Sequence, residues 1–267
     1  MPDRSATEIR NLAEVREAIS RYAEQGRSLT EGLVRGLHRT LMTGVPEAPG
    51  EPLKPGEFRD ATDDHRFVGF KHLKKHKPLA WKVRSDLITL LEDAENGRLA
   101  PDWARTAGRF HYRFLRIHPF CDGNGRMARA LSMLLLARDH PEVLLFEKPI
   151  DEVILEHRGD YVGVLEYCDG IYEDLRGADI PEEEKLRWAE RPFSDFSARA
   201  FLEAYREHNE KLLERLEEKL LKGLEGKGIA VRRPKPAQSI YDLNLEAIKS
   251  SHPWDETLKV AVSRGYD

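Results

Sequence analysis

Cysteine is almost missing from this chain: Cys121 and Cys168 are the only two in 267 residues. Two thiols build neither a disulfide framework nor a zinc cluster, and a reducing cytoplasm suits them. Also missing is any apolar run of the roughly 20 residues that a membrane helix needs. The opening MPDRSATEIR has no apolar signal core. Neither sign of charge dominates. With a formal net charge of −4, no nucleic-acid partner and no membrane partner is expected. Internal repeats and low-complexity tracts are absent as well. What the chain does have is 40% apolar residues and four tryptophans, enough to bury a real core. Its length allows one large domain, or one domain with an appendage. The expectation is a soluble, cytoplasmic, globular protein.

Helical spacing runs through most of the sequence. Ile9, Leu12, Val15, Ile19 and Tyr22 recur at helical intervals, opened by Thr7 and closed near Gly26. Ser28 and Glu31 have the spacing of a capping box for a second helix, whose Leu33, Leu37 and Leu41 share one face. Gly44 to Pro55 is rich in Gly and Pro and reads as loop. RFVGF, from Arg66 to Phe70, is the one convincing extended stretch. A helix resumes near Trp81, passes Leu87 and Leu91, and stops at Asn96-Gly97. Trp103, Ala107, Phe110, Phe114 and Ile117 mark an amphipathic helix that delivers His118 at its end. MARALSMLLLA, from Met127 to Ala137, is apolar almost all round, which predicts a helix buried at the centre of the domain. Another follows from about Asp151, with Ile154, Tyr161, Leu165 and Cys168 facing inward. Beyond Pro192 the composition shifts to a long charged helix, Phe196 to Gly223. A Gly, Pro and Lys/Arg-rich linker, Gly226 to Gln238, leads to the tail. The division drawn from this is a core over 1–195, dense from about residue 8, and a helical extension with tail over 196–267.

Between the two central helices lies HPFCDGNGR, from His118 to Arg126. Alone, DGNG reads as a turn and a histidine before proline as a capped or solvated side chain. Their concurrence immediately before a buried helix points to chemistry. A helix start presents unpaired N–H groups and partial positive charge. Gly123-Asn124-Gly125 lets the backbone curl until those groups converge, a nest for phosphate. Arg126 and Arg129, three apart, share one side of the first turn and can grip phosphate oxygens. As structure alone they oppose the helix dipole. Asp122 offers the carboxylate with which a protein shares magnesium with a nucleotide. His118 can accept a proton from an attacking hydroxyl. Nest, clamp, metal carboxylate and base together suit transfer of a phosphorus group. Phe120 is assigned to the core, and Cys121 to no role.

IHPFCDGNGRMAR resembles the signature of the Fic family, HPFx[DE]GN[GK]RxxR, at every fixed position: His118, Pro119, Phe120, Asp122, Gly123, Asn124, Gly125, Arg126 and Arg129. Weaker similarity extends over about residues 8–195 and includes LHRTLM (Leu37 to Met42), PGEFR (Pro55 to Arg59) and HRGDYVGVL (His157 to Leu165). The resemblance implies an all-α Fic fold, a helical bundle around a central buried helix, with a short β-hairpin flap over the site. It implies a protein adenylyltransferase that moves AMP from ATP onto a Ser, Thr or Tyr hydroxyl of a target protein. His118 would be the general base and Asp122 would hold Mg2+. Gly123, Asn124 and Gly125 would cradle the phosphates that Arg126 and Arg129 bind. Tyr161 and His157, the latter standing where the family often has Asn, would lie near the adenine. Arg66, Phe67, Val68 and Gly69 would form the flap that holds the target's backbone by strand addition. The phosphate-transferring Doc branch carries Lys at the position of Gly125, so AMP is favoured over phosphate as the group moved.

Transfer of UMP or phosphocholine is the nearest alternative. A non-catalytic binding module is another, against which the intact His118, Asp122 and Arg129 speak, since binding alone needs no base. Many family members carry an inhibitory helix, [ST]xxxE[GN], whose Glu pairs with the second arginine. Here the nearest stretch, Ser20 to Gln25, ends in Gln, and Glu24 reads as an ordinary solvated side chain. A segment upstream of this sequence, a separate antitoxin-like protein as for the toxin of a toxin–antitoxin pair, or the tail would supply the restraint. The basic run FKHLKKHKP, Phe70 to Pro78, reads as a solvated face. Phe201, Tyr205, Leu212 and Leu216 form a thin stripe on the charged helix that would suit a homo-oligomer.

Overall fold

In a computed structural model, residues 4–47, 53–61, 79–100, 103–146 and 148–225 are described, and among them the regular structure is helical with no strand. In chain order the elements are α1 (Arg4–Glu24), α2 (Glu31–Met42), α3 (Ala80–Glu95), α4 (Trp103–Ile117) and α5 (Asn124–Asp139). A 3-10 turn (Pro141–Leu145) then leads to α6 (Ile150–Glu156), α7 (Arg158–Leu175) and α8 (Glu182–Glu225). The fold is all-α. No helix among the described residues is long and apolar enough to cross a membrane. Arg66, Phe67, Val68 and Gly69, assigned to the flap, lie outside the described residues, as do the basic run from Phe70 to Pro78 and the tail from Gly226.

Helix α5 is the axis of the core. Met127, Ala128, Leu131 and Leu134 have no exposed surface, and Leu136 and Ala137 almost none. Helices α4 and α1 pack against it, which explains why apolar residues are needed on nearly every side. Each buried Leu of this kind contributes about 1.5–3 kcal/mol. Helix α4 turns Phe110, Phe114 and Ile117 to the core. At Gly108 it meets α8 backbone to backbone, for an added Cβ would lie 2.8 Å from the Cα of Ser194.

The far side of α4 is polar yet buried, and ion pairs satisfy it. Arg113 donates to Glu190 (2.6 Å) and Glu183 (2.7 Å). Arg116 and the Tyr112 hydroxyl both donate to Asp169 at 2.8 Å. These pairs tie α4 to α7 and α8, so the helix that ends at His118 is gripped on both faces.

Three local expectations are corrected. The cap of α2 is Thr30, whose hydroxyl accepts from Leu33 N–H at 3.2 Å. Glu31 is therefore the first helical residue, and there is no box with Ser28. The helix expected from Asp151 is two helices, α6 and α7, meeting at His157, although Ile154, Tyr161, Leu165 and Cys168 are buried as their spacing implied. Helix α8 begins at Glu182 and passes through Pro192, so it does not start at Phe196. A proline inside a helix costs about 3 kcal/mol. The burial of Ala189, Phe193, Ser194 and Ser197 on either side of it offsets that cost. Residues to His208 belong with helices α1 to α7 in one compact unit, and a second unit starts at Asn209. In that second unit Leu212, Leu213 and Leu216 are exposed.

Candidate active site

Pro119 has no N–H and disfavours a right-handed helical residue before it, so α4 ends there. The last helical bond runs from His118 N–H to Phe114 O (3.0 Å). His118 itself adopts φ 50°, in the left-handed region. A non-glycine residue held there costs about 1–3 kcal/mol. Its Nδ1 faces Leu115 O at 3.4 Å. With the ring proton on Nδ1, directed at that carbonyl, the lone pair lies on Nε2.

The loop after His118 is built from the inside out. Phe120 is fully buried and packs against Phe58 and Phe114. Asn124 closes the loop with its side chain, accepting from Phe120 N–H (3.0 Å) and donating to Phe120 O (2.8 Å). The backbone N–H of Asn124 is left to face an anion. Gly123, the residue before α5, has φ 78°. A Cβ there would also lie 3.0 Å from Met42 Sδ, so glycine is needed for both reasons. No side chain caps α5, and its first internal bond is Met127 N–H to Gly123 O. The amides of Asn124, Gly125 and Arg126 thus have no acceptor within the helix.

His38 of α2 holds the loop from behind. Gly56 N–H donates to its Nδ1 (2.9 Å), which leaves Nε2–H to donate to Asp122 O (3.1 Å). Burial lowers the pKa of His38 to about 4, so the ring is neutral at physiological pH. Sequence reading included His38 in LHRTLM without giving it a role. Nor did it give one to Arg59 of PGEFR, which is buried against the end of α4.

Charge surrounds the start of α5. Asp122, partly exposed, accepts from Gly123 N–H through Oδ1 (2.5 Å) and pairs with Arg4 of α1 through Oδ2 (2.8 Å). Arg4 also pairs with Glu8 (3.0 Å), Glu8 with Arg126 (3.1 Å), and Arg126 with Asp122 (3.5 Å). Four charges of alternating sign close a ring over the nest. Nothing in the sequence pointed to Arg4 or Glu8. Arg126 and Arg129 both line a cavity of about 110 Å³ whose walls include Leu12, Ile19, Met133 and Phe146.

Arg129 lies next to a buried pair. Tyr161 OH and His111 Nε2 are 3.0 Å apart. Burial lowers the pKa of His111 to about 3, and the Arg129 charge adds to that. Burial raises Tyr161 to about 12, against the influence of Arg129. Tyr161 is almost fully buried and packs its ring on Phe193. His157 is half-exposed beside Asp160 and Glu203. Glu24 is exposed, and the Ser20 hydroxyl bonds to Arg16 O.

No group of three or more potential metal ligands occurs among the described residues. A single exposed carboxylate is nonetheless the donor set that suits Mg2+ bound chiefly through phosphate oxygens and water. Asp122 fits that description.

Residues 28–136 match the family model for the Fic/DOC family. A Fic domain-containing signaling protein from Bacteroides thetaiotaomicron VPI-5482 superposes with a TM-score of 0.52 at 21% identity, over 85% of this chain and 74% of that one. A Fic family protein from Desulfovibrio desulfuricans G20 is 26% identical over 75% of this chain, with a TM-score of 0.48. The alignment spans 54% of that protein's length. The first superposition establishes the shared fold. The matched segment contains His118, Asp122, Arg126 and Arg129, so residues 28–136 of this chain are similar to the Fic/DOC family over the stretch that holds the candidate site.

Proposed function

We propose that this domain moves AMP from ATP onto a Ser, Thr or Tyr hydroxyl of another protein. The observation that carries the reading is one juxtaposition. His118, held at the end of α4, stands six residues before the uncapped start of α5, whose first two turns bear Arg126 and Arg129. That geometry suits an attacking hydroxyl at one end of a polyphosphate and a cluster of donors along it.

In the reaction, His118 Nε2 accepts the hydroxyl proton as the target oxygen attacks the α-phosphorus, and the bond to the β-phosphate oxygen breaks. Pyrophosphate leaves, and AMP stays on the target. The amides of Asn124, Gly125 and Arg126 and the guanidinium groups of Arg126 and Arg129 hold phosphate oxygens and balance the negative charge. Asp122 would hold Mg2+, which supplies charge neutralisation at the phosphates. Such catalysis is positioning and electrostatics. At Gly125 a Cβ would make only an ordinary contact with Arg129 Nη1, at 3.6 Å, so glycine leaves open space for the nucleotide there.

The test is incubation with Mg2+ and α-labelled ATP in a cytosolic lysate, beside His118→Ala. Label on protein that depends on His118 supports the reading. Label from γ-labelled ATP means phosphate transfer, and label only from UTP means UMP transfer. No label from any of these overturns nucleotide transfer. A separate antitoxin-like inhibitor belongs to the same proposal, and loss of label on adding back a co-purifying protein would reveal it.

A further inference from the structure

We infer that Arg59 is a positioning residue for the His118 base, holding the last turn of α4 and the left-handed His118 backbone in the reactive arrangement. The inference rests on the function proposed above. Arg59 Nε donates to His118 O at 2.7 Å and Nη2 to Ile117 O at 3.4 Å, while its own N–H donates to Pro119 O at 2.9 Å. One residue therefore binds three consecutive carbonyls, centred on the residue with φ 50°. Helix C-terminal carbonyls carry partial negative charge, and a buried cation is their natural partner. Arg59 has 4% of its surface exposed, so it does not face a substrate. It acts through His118.

A clamp can impose strain only if it is itself fixed. The turn that carries Arg59 is fastened to α2 at both polar groups of Gly56. Arg35 Nε donates to Gly56 O (2.8 Å), and Gly56 N–H donates to His38 Nδ1. Phe58 seats the same turn against Phe120 and beneath the Arg35 guanidinium. The path from α2 through residues 56–59 to carbonyls 117–119 is continuous and hydrogen-bonded throughout. A left-handed residue released from such a hold relaxes its φ and ψ, and the side-chain direction turns with them. Displacing a base by about 1 Å can cost 10²-fold in rate.

The experiment uses Arg59→Met, which keeps an unbranched apolar stem but removes the side-chain donors while the backbone bond to Pro119 O stays, and Arg59→Lys, whose side chain can still donate to one carbonyl. Histidine-ring NMR correlations are recorded for wild type and both variants, with the His118 peak assigned by its loss in His118→Asn. The expected result is a shifted His118 peak in Arg59→Met and a smaller shift in Arg59→Lys, with the buried His38 and His111 peaks in place. In the transfer assay kcat falls by roughly tenfold or more, with the KM for ATP within about twofold. Arg59→Lys retains the larger share of activity, and it carries both comparisons if Arg59→Met does not fold. An unmoved His118 peak, or a raised KM with wild-type kcat, overturns the inference. Wild type that transfers no label overturns the proposed function, and the spectra alone then decide the positioning.

Discussion

The His38 ring lies flat on Phe120, with centroids 3.6 Å apart and planes 5° from parallel. Through this stack and its bond to Asp122 O, α2 supports the loop whose other end carries His118. His118, the start of α5 and Asp122 therefore share one backing.

That support depends on pH. His38 takes a proton near 6.5 when unfolded but only near 4 when folded, because burial disfavours its charge. Unfolding thus takes up a proton between those values. The contribution is complete above 6.5 and declines as pH falls towards 4, by about 3 kcal/mol. Urea midpoints from pH 7 to 4.5 should show the decline. His38→Phe should flatten the profile only in part, since His111 is lowered too, to about 3. A profile as steep as wild type in His38→Phe would contradict this.

Gly123 and Gly125 should respond differently to alanine. Gly123→Ala meets Met42 Sδ and an unfavourable φ, for a loss of about 1–2 kcal/mol from the backbone alone. Gly125 is helical and open, so Gly125→Ala should leave stability the same or higher. Denaturation midpoints of the two variants check the contrast, and equal losses would contradict it.

The ring of Arg4, Glu8, Asp122 and Arg126 places an internal cation on Asp122 and an internal anion on Arg126. Arg4→Ala should tighten Mn2+ binding, and Glu8→Ala should tighten inorganic pyrophosphate binding. Arg4–Asp122 is a partly exposed pair and Glu8–Arg126 a more buried one; a surface pair contributes up to about 1 kcal/mol, so the gain for Arg4→Ala is at most about fivefold. Calorimetry at low salt should register it, and the gain should shrink towards 1 M salt. Weaker binding in either variant would show that the ring assembles the site instead of competing with ligand.

Tyr161→Phe removes a buried hydroxyl and leaves His111 Nε2 without that partner. The expected loss is about 1–3 kcal/mol of stability. A Tyr161 turned towards its core neighbours should leave the KM for ATP near the wild-type value. A large rise in KM with stability unchanged would place the hydroxyl on nucleotide instead.

Much of the molecule was legible in the order of its residues. The 3.6-residue periodicity of Phe110, Phe114 and Ile117, and the unbroken apolarity of Met127 to Ala137, follow from a helix packed on one face or on all. The motif was legible because its residues are neighbours in the chain, so local geometry alone brings His118, Gly123 and Arg126 together. Boundaries were harder to read. The structure caps α2 with Thr30 and not Ser28, a choice made only by the chain path between helices. Pro192 lies inside α8 although a helix interior normally excludes proline, because the aromatic cluster around Phe193 outweighs one lost hydrogen bond.

The sequence by itself determined most of the helices seen among the described residues and the chemistry gathered in HPFCDGNGR, because both rest on spacings of a few residues. Tertiary structure alone decided which distant side chains hold that chemistry in place. His38, Arg59 and Arg4 lie 84, 59 and 118 positions from their partners Asp122, His118 and Asp122. No periodicity or motif can encode such pairings. They exist because α2 and α1 bury their apolar faces against the same core, and that packing brings a histidine and two arginines to the ends of α4 and α5.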